Sequence, residues 1–364
     1  MSSPISATSI VGARPNFVKV APVARALAAS GSFAHAIVHT GQHYEADMSE
    51  RFFADLEIPP PDVHLGVGSG SHGEQTARML AGVEGVLLAR RPDVVLVYGD
   101  VNSTLAGALA AAKLGIPVCH VEAGLRSRDR TMPEELNRIL VDQLSEILFT
   151  QSREAEANLA AEGIPRERIR FVGNVMIDSL ARCRDRAEAM AAWKGNGLAR
   201  DNYGLVTLHR PSNVDDPDRL ASVMRALGKV ARRIPLVYPV HPRTRNRLEA
   251  AGLTGANGRL ALVPPAGYVE FVSLLCGARF ALTDSGGVQE ETTWLGVPCL
   301  TLRTTTERPV TTREGTNRLV DLAGIVPGVE EVLAAPARRV SPPELWDGRA
   351  AERIARILAE RLRP

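Results

Sequence analysis

The run Val94–Tyr98 (VVLVY) most constrains what this chain can become. Five consecutive apolar residues, four of them valine or leucine, suit a short strand buried on both faces, the kind found inside parallel sheets. Gly99 ends the run, and Asp100 stands where the chain leaves the sheet. Asn102, Ser103 and Thr104 can cap a following helix, Leu105 to Lys113, which Gly115 and Pro117 stop. Val118–Val121 then begins a second strand that also ends in an acid, Glu122. Gly124, Arg126 and a charged loop lead to Met132-Pro133-Glu134-Glu135 and another helix. Open α/β sheets bind ligands at the carboxyl ends of their strands, where Asp100 and Glu122 are placed. One carboxylate there serves equally well as a helix cap. Asp100, Glu122 and Glu134 together, with Arg126 and Arg138 nearby, point to a site.

The same alternation runs through the rest of the chain. Ser6–Val11 reads as a first strand, and Arg14-Pro15-Asn16 opens a helix with proline at its first position. Arg14 and Lys19 put cations at the positive end of that helix, which an anionic ligand would explain. His35–Thr40 reads as a strand, followed by Gln42 and His43. Residues 58–72, rich in proline and glycine, read as an irregular loop. After strands at Ile147–Thr150 and Ile169–Val172, Gly173-Asn174 marks a domain junction. Residues 1–173 form the first domain and 174–346 the second. The amphipathic segment 347–364 forms a helix that packs back on the first.

The second half repeats the pattern. Tyr203–Leu208 ends in His209, Pro235–Val240 ends in His241, and Arg279–Thr283 ends in Asp284-Ser285-Gly286-Gly287. A Ser-Gly-Gly turn at a helix start exposes backbone N–H groups suited to phosphate. Glu291 lies about one turn further on, able to accept bonds from a ribose diol or to serve as a first-turn acid. Arg308 sits in a polar loop just before Pro309.

Composition removes several classes of function. With 364 residues the chain can hold two full cores. Its formal charge is only +2 and aromatics make up 4%, so nucleic acid is not an expected partner. No apolar run approaches bilayer length and no signal peptide is read, so a cytoplasmic protein is expected. The four cysteines lack CxxC pairing, and the eight histidines form no HExxH-type cluster, so no metal site is expected. The first strand-helix turn lacks GxGxxG, and no nicotinamide or other cofactor is expected either.

An ordered series of motifs carries a family resemblance over nearly the whole chain. GARPNFVKVAPV, TGQHYE, YGDVNST, HVEAGLRSRD, MPEELNR, GNVMID, TLHRPSN, YPVHP, LTDSGGVQEE and TTTERPVT follow one another as in the non-hydrolysing UDP-N-acetylglucosamine 2-epimerases, which the chain resembles. The resemblance implies an α/β fold of two doubly wound Rossmann-like domains facing across a cleft, the B-type glycosyltransferase fold, usually as a homodimer. It implies interconversion of UDP-GlcNAc and UDP-ManNAc. Asp100, Glu122 and Glu134 would do the acid–base work, and His209 would stabilise the leaving diphosphate. Ser285 and Gly286 would hold phosphate, Glu291 the ribose, and Arg308 the nucleotide. Arg14 and Lys19 match the family's first-loop basic residues. Arg138, His241, Phe271 and Gly287 complete the candidate substrate-binding set. Gln42 and His43 match positions that bind an activating second substrate in bacterial members. Where many members read HRREN this chain has His209-Arg210-Pro211-Ser212-Asn213, and Glu74 replaces an arginine often found in members with the activator site.

The chemistry explains the residue types. C2 of a GlcNAc unit has no neighbouring carbonyl to acidify its proton, so elimination of UDP must accompany proton loss. That route needs a base, an acid and a firm hold on the departing diphosphate. The same reaction on UDP-2,3-diacetamidoglucuronate is an alternative, a glycosyltransferase of the same fold is another, and a non-catalytic nucleotide-sugar sensor is a third.

Overall fold

The computed structural model describes residues 3–42, 52–253, 259–335 and 341–362. It divides into two compact units, Met1–Ala181 with Glu344–Pro364, and Arg182–Pro343. The division falls within one continuous helix, Val175–Met190, rather than at the Gly173-Asn174 turn that precedes it. Gly173 belongs to the packing of the first unit: its φ is +88°, and a Cβ there would meet the Leu345 carbonyl oxygen at 2.1 Å.

The first unit holds seven strands: β1 (Ile5–Val11), β2 (Phe33–His39), β3 (Val63–His64), β4 (Val94–Tyr98), β5 (Val118–Ala123), β6 (Ile147–Thr150) and β7 (Ile169–Phe171). All pair in parallel in the order β3-β2-β1-β4-β5-β6-β7. Every residue of β4 is buried, as its unbroken apolar run requires. The chain winds outward from β1 in one direction and from β4 in the other, so the order reverses between those two strands. Their carboxyl ends flank the crevice where such sheets take ligands.

The Pro- and Gly-rich stretch before Glu74 is more ordered than its composition suggests. Val63 and His64 form the edge strand, and the amides of Asp62, Leu65, Val67 and Gly68 donate in turn to the carbonyls of Ile37, His39, Thr40 and Gly41. The alternation of Val63 and Leu65 was the available cue, hidden among prolines. The helix Asn102–Lys113 likewise starts earlier than its capping residues suggest. Its N-cap is Val101, and Asn102 to Thr104 form the first turn. Thr104 Oγ1 donates back to the Tyr98 carbonyl at 2.7 Å.

The C-terminal helix Ala350–Leu362 packs against the helix Arg14–Ala29 of the first unit. Asp178 fastens its start by accepting the Ala350 and Ala351 amides at 3.1 and 2.7 Å, capping it from another helix.

The second unit holds β8 (Gly204–Thr207), β9 (Leu236–Pro239), β10 (Leu260–Val263), β11 (Phe280–Thr283), β12 (Cys299–Leu302) and β13 (Asn317–Val320). They too are all parallel, in the order β10-β9-β8-β11-β12-β13. Here the winding reverses between β8 and β11. Among the described residues no helix is long and apolar enough to cross a membrane.

Candidate active site

In the first unit, the crevice between β1 and β4 is built by a residue the motif reading passed over. Asn16 is buried in the first turn of the helix Arg14–Ala29. Its Oδ1 accepts the amides of Gly12 and Ala13 at 3.0 and 3.2 Å, and its Nδ2 donates to the Tyr98 carbonyl at 2.8 Å. One side chain therefore ties the turn after β1 to the end of β4. The polar residue after the Arg-Pro pair was the signal that could have found it.

Asp100 follows β4 and Glu122 lies near the end of β5, so adjacent strands deliver the two acids to one sheet edge. Glu122 is the unusual one. Its φ is +76°, in the left-handed region that costs a non-glycine residue of order 1 kcal/mol or more. The β5–β6 register shifts between Val121 and Ala123, around Glu122, as happens at bulges that re-aim a side chain. Its carboxylate forms an ion pair with Lys19, and both side chains are almost wholly buried. Lys19, expected to bind substrate, is thus occupied by an acid of the site. Gly99 lies against this pair: it has φ +63°, and a Cβ on it would come within 2.8 Å of Lys19 Nζ and 2.9 Å of Glu122 Oε2. Only glycine fits there.

Asp100 is held in a similar way from the helix Pro133–Leu144. The buried Arg138 guanidinium pairs with the Asp100 carboxylate and with Glu135, 2.8 Å away. Asn137 Nδ2 donates to the Asp100 carbonyl at 2.8 Å. Glu135 in turn accepts the amides of Ser127 and Arg128, both at 2.9 Å, and so shapes the loop before the helix. Glu134, one helical turn before Arg138 and on the same face, is partly exposed. Its carboxylate has no hydrogen bond or ion pair to another described residue. Of the adjacent glutamates in Pro133-Glu134-Glu135, one clamps a loop and the other remains available.

Arg14 opens its helix, with its guanidinium 5.8 Å from the centre of the Phe52 ring. Gln42 is buried. Its Oε1 accepts the Ser103 amide at 3.2 Å, at the start of the helix after Asp100, and its carbonyl accepts from Gln75 Nε2 at 3.1 Å. His43 lies outside the described residues.

In the second unit, the crevice between β8 and β11 is organised by Asp284. It is fully buried and accepts the amides of His209 and Arg210 and the Asn213 side chain at 3.0–3.2 Å. His209 Nδ1 lies 3.1 Å from Asp284 Oδ1, while the imidazole is largely exposed. Burial alone would raise the Asp284 carboxyl, but the His209 contact, Asn213 and the Arg210 amide together hold it below its ordinary value. A ring fixed through Nδ1 keeps Nε2 for a ligand, the orientation a diphosphate contact needs.

Ser285 is the N-cap of the helix Gly286–Leu295, and its side chain makes no capping bond. The start of that helix, with Gly286 and Gly287, therefore has backbone donors suited to an anion. Gly286 is required by its neighbours, since a Cβ would sit 2.3 Å from Arg308 Nη1. Arg308 itself is buried between Glu307, 2.5 Å from Nη1, and Glu290, 2.9 Å from Nε. Glu291 is fully buried, and burial, reinforced by the Glu290 charge and offset in part by a Tyr268 hydrogen bond, pushes its carboxyl up to about 8. His241 caps the helix Pro242–Ala250, accepting the Arg243 amide at 3.3 Å. Phe271 is partly buried and packs on the cluster around Trp193, Tyr203 and Leu274.

Residues 25–359 match the profile of the family described as UDP-N-acetylglucosamine 2-epimerase. A UDP-N-acetylglucosamine 2-epimerase of Methanocaldococcus jannaschii is 43% identical over 96% of this chain and 97% of its own length. A UDP-2,3-diacetamido-2,3-dideoxy-D-glucuronate 2-epimerase of Pseudomonas aeruginosa is 44% identical over 97% and 99%. The crystal structure of the Methanocaldococcus jannaschii UDP-GlcNAc 2-epimerase in complex with UDP-GlcNAc and UDP is similar with a TM-score of 0.91. It is 42% identical and covers 98% of this chain and 100% of that one.

Proposed function

This chain belongs to the UDP-N-acetylglucosamine 2-epimerase family, with its B-type glycosyltransferase fold, and we propose that it interconverts UDP-GlcNAc and UDP-ManNAc without net hydrolysis. What carries the reading is the pair of carboxylates at neighbouring strand ends, Asp100 and Glu122, each braced by a buried cation at a switch point of the sheet.

The reaction runs in two halves. A carboxylate takes the C2 proton as the C1–O bond breaks and the electron pair leaves with UDP, forming the C1–C2 double bond of 2-acetamidoglucal. A second carboxyl returns a proton to the opposite face of C2 while a β-phosphate oxygen re-forms the bond to C1. Asp100, Glu122 and Glu134 supply the carboxyl groups, with the direction of travel deciding which is acid and which is base. His209 and the start of the helix at Ser285-Gly286-Gly287 stabilise the departing diphosphate, the largest change of charge in the reaction. Glu291 accepts the ribose hydroxyls. Arg308, His241 and Phe271 complete the nucleotide side, and Arg14 and Arg138 the sugar side.

The Pseudomonas relative supports a second reading, the same epimerisation with UDP-2,3-diacetamidoglucuronate as substrate. Both substrates share the UDP and 2-acetamido groups on which this chemistry acts.

The test is turnover in deuterated water with an ¹⁸O label in the C1–O–P bridge, run on each sugar. We expect deuterium at C2 of the product and scrambling of the label into the non-bridging β-phosphate positions. C2 exchange with an intact bridge would exclude elimination.

Assembly as a homodimer is part of the same reading. Leu136 and Leu140, one turn apart on the helix Pro133–Leu144, are exposed, as is Leu88 on the helix His72–Arg90. Light scattering of the protein and of a Leu136→Glu/Leu140→Glu variant tests it, a dimer giving way to monomer.

A further inference from the structure

His120 lies on β5, two residues before Glu122, and is fully buried. Its Nδ1 is 2.6 Å from Asp142 Oδ1 and its Nε2 is 2.8 Å from the Gly99 carbonyl oxygen. A carbonyl oxygen only accepts, so Nε2 must carry a proton. The other nitrogen faces a carboxylate whose second oxygen is already engaged. Asp142 Oδ2 accepts the Gly124 amide at 3.1 Å and lies 2.7 Å from Arg126 Nη1. Arg126 is in turn gripped by Glu162, with Nε and Nη2 donating at 2.8 and 2.6 Å.

With a guanidinium and an amide holding Asp142 as the anion, the remaining proton belongs on the ring. Arg126 alone faces two anions, Asp142 and Glu162, and a cationic His120 would balance them. On the Glu122 side, Lys19 and Glu122 form a balanced pair of their own.

We propose that His120 is a positioning residue of the epimerisation, held with both ring nitrogens protonated, whose bond to the Gly99 carbonyl fixes the turn that carries Asp100. Gly99 is the residue between β4 and Asp100, is left-handed, and rests on the Lys19–Glu122 pair. A charge-assisted bond from β5 to that carbonyl locks together the ends of the two strands that carry the acids. With Asp142 held as the anion, a neutral imidazole would present a lone pair to one of its two oxygen partners and release one side of the clamp. The role at Asp100 rests on the epimerase reading above; the protonation state does not.

Protein labelled with ¹⁵N at its histidine side chains tests the state directly. One of the eight imidazoles should show proton-bearing nitrogens at both ring positions. Its signal should vanish in His120→Gln. If every ring carries only one proton, the proposal is overturned, with no variant needed.

The role is read from solvent-deuterium incorporation at C2. His120→Gln keeps an N–H donor but loses the charge and the second bond. It should lower the exchange rate about 10- to 100-fold, the scale of a small misplacement of catalytic groups, with UDP affinity within about twofold of the parent. Unchanged exchange, or parallel loss of exchange and UDP affinity, would reject a positioning role. Asp100→Asn run alongside separates the two readings. If it exchanges normally the site assignment has failed, whereas the doubly protonated ring would still stand.

Discussion

Lys19 and Glu122 form a buried ion pair between the first helix and the end of β5, and Glu122 holds that pair from a left-handed backbone. Neither side chain has water to fall back on. Removing one partner leaves an uncompensated charge in the interior, which costs about 3–5 kcal/mol. Lys19→Met should therefore destabilise the protein by that order in urea unfolding and reduce turnover. The double variant Lys19→Met/Glu122→Gln should regain most of the stability and none of the activity. Equal stability of the single and double variants would mean that the pair is not coupled.

Gly99 makes the same region sensitive to one methyl group. Gly99→Ala forces a left-handed alanine into the space of Lys19 Nζ and Glu122 Oε2. The backbone term alone is about 1–2 kcal/mol, and displacement of the ion pair adds to it. Turnover should fall by more than about 10-fold, because both acids are anchored through this turn. Gly195→Ala is the control: nothing lies within 4 Å of its added Cβ, and neither stability nor rate should move measurably.

The elements that carry the acids were legible because their signals are local. Val94–Tyr98 is apolar without interruption and Asp100 follows directly, so strand, exit and carboxylate could be read from a short window. The same holds for Ser285-Gly286-Gly287 at the start of its helix. What the sequence could not display were pairings across long separations. Lys19 reads as an anion-binding cation at a helix start, and only the fold brings Glu122 to it from 103 positions away (122 − 19). His120 and Asp142 read as a strand residue and a helix residue of no special meaning. Their contact exists because β5 and the helix Pro133–Leu144 pack side by side. Arg308 illustrates the reverse, a cation well placed for a nucleotide that the fold also surrounds with Glu290 and Glu307.

The three carboxylates should separate catalysis from binding. Asp100→Asn, Glu122→Gln and Glu134→Gln should each lower turnover by at least about 10²-fold, the lower end for positioned acid–base groups. UDP affinity, measured by calorimetry, should change far less, since the groups proposed to hold the diphosphate and ribose lie in residues 209–308. Glu134→Gln should also leave stability unchanged, because its carboxylate has no described partner, whereas Asp100→Asn removes one of the anionic partners of the buried Arg138 and should destabilise. Near-normal turnover of all three would place the chemistry elsewhere.

Glu291 gives a prediction with a definite sign. Its carboxyl is pushed up to about 8 by burial in the folded chain, against an ordinary value of 4.5. Between those values the folded protein holds a proton that the unfolded chain has released. Stability should therefore be greatest below about pH 4.5 as far as this group is concerned, decline as pH rises toward 8, and level off above it. Glu291→Gln should remove that slope from the pH dependence of the urea midpoint. Binding reverses the balance. Ribose hydroxyls donate to the carboxylate and favour its ionised form, so UDP should expel the proton at pH 7. Calorimetric titrations in buffers of different ionisation heat should show close to one proton released per UDP, and none with Glu291→Gln. A binding heat independent of buffer in the parent protein would mean that Glu291 does not hold the ribose.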